Sequence, residues 1–328
     1  MLRGPRPACG VQWAEDGLRA AACDASGALV AHARVDLSDP PQGAWAQAFR
    51  VLRGAAHGLG RDAVCCAPPG WIDALPLRLP GTGDLEELLL ERAPQHLSYS
   101  LDDAVLDYLG PDARDDGSRR ALLVALPRQR ALELLAAAEG GGFRVAAIET
   151  AGVGLHRLLR RDRRLDARRA LVVHLEREHC LFLVLDSESL HVERALGWGT
   201  SRLEAALAAR LDVPRTSAAH LLRAAPESAG EAQAATREIL SPALGELATE
   251  VERVLGYCRA EFRAGVDRVL LSGAAGDVRS VREALQRLAP EAEDAFPEPR
   301  GGPGVEADLA VAHGLALRFL ESSCASST

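Results

Sequence analysis

The chain has 328 residues, which at ~150 residues per domain makes roughly two lobes with a core each and excludes a single small module. Its 48% hydrophobic and 26% charged residues are ordinary soluble usage, so neither a disordered nor a fibrous chain fits. Thirty-eight Lys and Arg positions against 46 acidic residues leave a net charge of −8, and every one of the 38 is arginine, which argues against nucleic-acid binding and removes any chemistry that needs a lysine amine.

In chain order, residues 9–13, 18–23 and 29–35 read as strands separated by the turns Glu15-Asp16-Gly17 and Asp24-Ala25-Ser26-Gly27. A helix with Trp45, Phe49 and Leu52 on one face and an apolar strand at 63–67 follow, giving βββαβ. The same order returns at 170–175, 180–185 and 190–196, before a helix opened by Ser201-x-x-Glu204. The chain thus repeats itself at the scale of a lobe.

An inserted block separates the copies. Asp84-x-x-Glu87 caps a helix carrying Leu85, Leu88 and Leu89, and Pro94 marks its end. Strands at 105–109 and 121–126, a helix at 128–139 closed by Gly140-Gly141-Gly142 and a strand at 143–148 complete an αββαβ unit. The helix at 150–161 is expected to cross to the second lobe, and the arginine-rich run 160–169 to be solvated linker surface. Leu240, Leu244, Leu247, Val251, Val254 and Cys258 mark the core face of a long helix. A strand at 268–271, the glycine turn 272–276, a C-terminal helix with Leu309 and Phe319, and a disordered tail at 322–328 finish the chain. The assignment is a first lobe at 1–162 with an inserted subdomain at about 75–149, and a second lobe at 163–328 with a helical subdomain at about 203–262.

Candidate chemistry is sparse. No apolar stretch approaches the ~20 residues of a membrane-spanning helix and no signal-peptide core is read at the N-terminus, so a cytoplasmic location is expected. Seven scattered cysteines without a C-x-x-C pair suggest buried thiols rather than a disulfide or zinc framework. His174, Glu176, Glu178, His179 and Cys180 are metal-ligand types, but alternate residues of a strand face opposite sides and cannot converge, so no metal site is assigned. Asp102, Asp103 and Asp107, interleaved with Leu101, Val105, Leu106 and Tyr108, read as the polar edge of a strand. The common hydrolase, zincin and dinucleotide motifs are missing, and no catalytic residue is assigned.

Two βββα units, an insertion in the first lobe and a late glycine turn resemble the actin-like ATPase superfold: an α/β, two-lobed fold of duplicated βββαβα units, here with an inserted αββαβ subdomain in the first lobe. More specifically, Leu85-Glu86-Glu87-Leu88 followed by Leu97-Ser98-Tyr99-Ser100-Leu101-Asp102-Asp103-Ala104-Val105-Leu106-Asp107-Tyr108 resembles the PilM family of type IV pilus assembly proteins, in which the helix precedes a run of I-P-F-P-L-D-E-V-V-L-D-F/Y type. Segments 121–125, 266–273 and 312–317 look like that family at matching places. The resemblance spans nearly the whole chain and implies the FtsA-like position of the extra subdomain.

It also implies a nucleotide site at Gln12, Glu15, Asp16 and Gly17 in the first loop, His174, Glu176 and Glu178 in the second, and Ser272, Gly273 and Gly276 on the adenosine side. These loops depart from the family. Where it shows D-I-G-S-S-S, this sequence has Gln12-Trp13-Ala14-Glu15-Asp16-Gly17; where it shows D-I-G-A-S-S, this one has His174-Leu175-Glu176-Arg177-Glu178-His179. A carboxylate ~4 Å from a phosphate charge costs roughly 4 kcal/mol at an effective dielectric of ~20, about a thousandfold in affinity. Unless Arg19 or Arg177 compensates, ATP and its magnesium ion are disfavoured and no cofactor is expected.

The function implied is a non-enzymatic, cytoplasmic scaffold of a pilus or secretion assembly platform. It would bind the N-terminal cytoplasmic peptide of a PilN-like inner-membrane protein without inserting into the membrane itself. Leu97, Tyr99, Leu101, Val105 and Tyr108 would form one wall of the peptide groove, with residues 71–79 of the first lobe opposite. The alternatives are an active actin-like ATPase or sugar kinase with divergent phosphate loops, and a relative of the GspL cytoplasmic domain of type II secretion.

Overall fold

Hairpin chemistry sets the first sheet. Strands β1 (Ala8–Ala14) and β2 (Gly17–Cys23) pair antiparallel up to Ala14 opposite Gly17, leaving Glu15-Asp16 as a two-residue turn. Gly17 has φ of +146°, and a Cβ there would stand 2.1 Å from the Val35 carbonyl, so the turn requires glycine. β3 (Leu29–Asp36) pairs with β2, while β4 (Asp62–Cys66) and β8 (Arg144–Glu149) extend the sheet in parallel, in the order β3-β2-β1-β4-β8. The computed structural model describes residues 8–37, 44–114, 116–166, 168–223, 231–262, 265–274, 278–296 and 307–325.

Helices α1 (Ala44–Ala55) and α3 (Arg128–Gly140) cover one face of this sheet around a core of Trp13, Phe49, Leu52, Leu134 and Phe143. Trp13 lies 4.3 Å from Trp45 and 5.1 Å from Trp71, ring centre to ring centre. On the other face lie α4 (Ala151–Arg161) and the wholly buried α9 (Ala310–Ala316). Their approach is backbone on backbone: a Cβ on Gly314 would stand 1.9 Å from the Gly154 carbonyl.

The sheet β11-β10-β9-β12-β13 repeats that order. It is built from β9 (Ala170–Leu175), β10 (Cys180–Leu185), β11 (Leu190–Leu196), β12 (Arg268–Gly273) and β13 (Glu293–Asp294). As in the first sheet, the leading strand is antiparallel to the second and parallel to the fourth, so the sequence repeat is a repeat of topology. Helices α5 (Thr200–Leu211), α6 (Arg215–Arg223), α7 (Glu231–Glu261) and α8 (Arg279–Leu288) accompany it. The expected stripe of α7, from Leu240 to Cys258, is buried at every position.

The insertion is smaller than the sequence suggests. β5 (Asp73–Leu79), unread in the sequence, forms with β6 (Ala104–Ala113) and β7 (Arg119–Pro127) a sheet in the order β5-β7-β6. Helix α2 (Leu85–Arg92), capped at Glu87 N–H by Asp84, packs Leu89 onto Leu77, Leu79 and Leu123. The helix and strand read at 128–148 as part of this unit, α3 and β8, belong instead to the first sheet and its cover. A short apolar strand does not declare its sheet; β8 runs parallel to β4, a pairing that needs a crossover helix, and α3 supplies it.

Four further expectations change. The compact units are Met1–Arg164 with Glu188–Glu193 and Leu309–Thr328, and Leu165–Ser187 with Arg194–Asp308, so 188–193 and the C-terminal helices group with the first rather than the second half. Helix α4 stays within the first unit. Helix α10 (Arg318–Ala325) runs through the first half of the supposed tail, whose residues 326–328 lie outside the described part. Within the arginine-rich run, Arg160 to Arg163 are exposed as expected, but Leu165 is buried and the Arg169 guanidinium lies 4.1 Å over the Phe262 ring.

Candidate functional site: two carboxylate-bearing hairpins and an apolar groove

The first hairpin turn is closed by its own ion pair. Arg19 donates from both terminal nitrogens to the two Asp16 carboxylate oxygens, each at 3.0 Å, and Leu37 N–H donates to the Asp16 carbonyl. Gln12, opposite Arg19 in the ladder, is buried. Arg19 therefore compensates Asp16, and the simple repulsion expected there is reduced. What a phosphate meets instead is an arginine already committed to a carboxylate.

The second hairpin is stapled to a helix of its own unit. Glu176 N–H donates to the His179 carbonyl across the turn. Thr200 and Ser201, the first residues of α5, donate their amides to the carbonyls of Glu176 and Arg177 at 3.1 and 2.8 Å. The Ser201 hydroxyl donates to the Glu178 carboxylate at 2.8 Å, and Arg177 reaches Glu204 at 3.3 Å. Gly199 permits this approach, since a Cβ there would lie 2.1 Å from the Arg177 carbonyl. The amides of a helix N-terminus are ordinarily an anion site; here the chain's own carbonyls and carboxylate fill it.

His174 bridges two parallel strands at their carboxyl ends. Its Nδ1 is 3.0 Å from the Ser272 hydroxyl and its Nε2 is 3.2 Å from Glu176. Serine, histidine and carboxylate at these distances match the spacing of a nucleophilic triad. Ser272 and His174 are each only 2% exposed, however, so no acyl group reaches the hydroxyl and the trio acts as a buried polar bridge. Gly273 holds a left-handed φ of +61° beside the His174 ring. Gly276 lies outside the described residues.

The first unit carries an apolar groove. A hollow of about 170 Å³ is lined on one side by Val105, Leu106, Asp107, Tyr108 and Leu109 of β6, and on the other by Ile72, Ile148, Thr150 and Val153, with Arg318 at its rim. Both β6 and β8 end their sheets. Of the five residues expected to form the wall, only Val105 and Tyr108 line it. Leu97 and Leu101 turn into the insertion's own core, and the Tyr99 hydroxyl donates to Asp73 at 2.9 Å; burial, with that hydrogen bond, pushes the phenol pKa up. Residues 73–79 are not the opposite wall either, because β5 lies beyond β7 in the same sheet as β6.

Of the range 71–79 expected there, Ile72 lines the opposite wall; the rest of that wall was missed, and it is braced by charge. Arg157 grips Glu149 through two nitrogens at 2.9 and 3.1 Å, and Arg318 also bonds Glu149. Glu321 of α10 in turn accepts from Arg157 and Arg160. Thr150 caps α4 at Val153 N–H and donates its hydroxyl to buried Glu193. The cap signal Thr150 preceding an apolar run was readable; its place beside the groove was not.

Comparison with known proteins defines the class first. No family model and no curated protein matches the chain, whereas solved structures with its fold are numerous. MreB 5 of Spiroplasma citri bound to AMPPNP is 9% identical with a TM-score of 0.56, covering 99% of this chain and 100% of that one. The ethanolamine utilization protein EutJ from Carboxydothermus hydrogenoformans is 14% identical with a TM-score of 0.60, covering 96% and 90%. The fold is therefore the actin-like ATPase fold that the sequence suggested. Within it, the chain resembles the PilM–PilN type IV pilus biogenesis complex at 20% identity and a TM-score of 0.81, over 96% of this chain and 99% of that one.

Proposed function

We propose that the chain is a non-enzymatic scaffold of a type IV pilus or related secretion platform, and that it holds the N-terminal cytoplasmic peptide of a PilN-like inner-membrane protein in the groove between β6 and β8. The observation that carries this reading is an apolar groove between two free strand edges, in a chain whose fold matches a protein solved as a complex with PilN. Such a groove suits an extended peptide, which gains affinity from edge hydrogen bonds and from pockets for alternate apolar side chains. Among the described residues no helix is long and apolar enough to cross a membrane, and the partner would supply the attachment to the inner membrane. The occupied hairpins favour a pseudo-ATPase: phosphate binding would have to displace the Asp16–Arg19 pair and the carbonyls seated on α5. Adding the partner's N-terminal peptide, coupled to beads, should retain the wild-type protein and not a folded Val105→Glu variant. Failure of the wild type to bind would remove the scaffold reading.

A further inference from the structure

We propose that Asp107 is a removable plug on the edge of β6: a docked peptide adds to β6 as a strand, takes the Tyr108 amide that Asp107 now holds, and offers the released carboxylate a basic side chain. This rests on the groove docking proposed above and specifies its geometry and selectivity.

Among the described residues β6 has a strand neighbour on one side only, so its alternate amides and carbonyls face away from the sheet. Tyr108 N–H donates to the carboxylate of the exposed Asp107 at 2.8 Å, which covers a donor that would otherwise invite any extended chain. Val105 to Leu109 all line the groove, so the edge runs along it. The β8 wall offers no comparable exchange: Glu149 is bound by Arg157 and Arg318, and the Thr150 hydroxyl by Glu193. On β6 one carboxylate is spent on its neighbour's amide, and a strand that supplies a carbonyl to that amide frees it. The exposed Asp102 and Asp103 stand at the same end of β6 as Asp107, while Arg318 lines the groove away from β6, so acidity is confined to the β6 side and the complementary occupant there is an apolar strand bearing a basic side chain.

The test uses fluorescein-labelled synthetic peptide from the partner's N-terminal cytoplasmic segment, and the same peptide with its groove-facing Arg or Lys changed to Gln, titrated into full-length wild type and Asp107→Asn. Asparagine keeps the shape and an acceptor oxygen, so folding is preserved. Each single change should weaken binding about tenfold and the pair no more than either alone, while binding slows hydrogen exchange at the Tyr108 amide. Additive losses, an unchanged affinity of Asp107→Asn, an unprotected amide, or a partner segment without any basic residue would overturn the plug. Val105→Glu separates the two readings: if it abolishes binding while Asp107→Asn does nothing, docking stands and the plug falls; if neither matters, the groove itself is not the site.

Discussion

The carboxylate of Glu193 accepts the hydroxyl of Thr150 at 2.5 Å and the amide of Gly152 at 3.2 Å, so a buried acid sits on the N-terminus of α4 behind the groove wall. Burial outweighs these hydrogen bonds and pushes the Glu193 pKa up from 4.5 to about 7. A raised carboxyl pKa stabilises the fold fully below the unfolded value and loses that contribution as pH rises through the folded one. Between pH 4.5 and about 7 the wild type should therefore lose on the order of 3 kcal/mol that Glu193→Gln does not lose. Urea midpoints across that range test this, and parallel curves for the two proteins would contradict it.

Mg-ATP should bind far more weakly than to a nucleotide-dependent protein of the same fold. The cause is occupancy more than bare repulsion, since Asp16 is paired with Arg19 and the α5 amides are bonded to Glu176 and Arg177. Calorimetric titration yielding a micromolar dissociation constant would overturn the pseudo-ATPase reading.

Gly314→Ala should destabilise the protein by about 3 kcal/mol or prevent folding, because the new methyl would stand 1.9 Å from the Gly154 carbonyl in rigid helix-on-helix contact. The change in thermal midpoint measures it. A shift of a degree or less would mean that α4 and α9 can separate at little cost.

The thiols of Cys9, Cys23, Cys65, Cys66, Cys180 and Cys258 are all buried, and burial pushes the Cys65 pKa to about 12. Native protein treated with a maleimide at neutral pH should leave these six unlabelled until denaturant is added, as counted by peptide mass spectrometry. Fast labelling of Cys65 or Cys66 in the native state would point to an open first sheet.

Much of this architecture was written in local signals. Glu15-Asp16-Gly17 announces a tight hairpin, Asp84 a helix cap, and the spacing from Leu240 to Cys258 a buried helix face; each depends on neighbours within a turn or two. What the sequence withheld was partnership between distant strands. β5 carries Pro76, which argues against a strand although Leu75, Leu77 and Leu79 alternate, and pairing with β7 over the insertion's core makes it one. That unseen strand displaced residues 73–79 from the groove wall assigned to them. Leu97, Tyr99 and Leu101 look like Val105 and Tyr108 in sequence, yet Leu97 and Leu101 pack on the insertion's core, Tyr99 bonds Asp73, and Val105 and Tyr108 line the groove, Tyr108 touching that core as well. Likewise Arg19 and Arg177 are visible as charges, but their carboxylate partners emerge only from hairpin register and the placement of α5.

The central claim is that the β6–β8 groove is a peptide-docking site, and the most direct measurement is the dissociation constant of the partner's labelled N-terminal peptide for wild type and for Val105→Glu. Val105 is 44% exposed at the groove, so a charge there should spare the fold, which circular dichroism checks, while meeting the apolar side chains of the ligand. The account predicts saturable binding by the wild type, weakened at least tenfold in the folded variant. Equal affinities for the two proteins would contradict it.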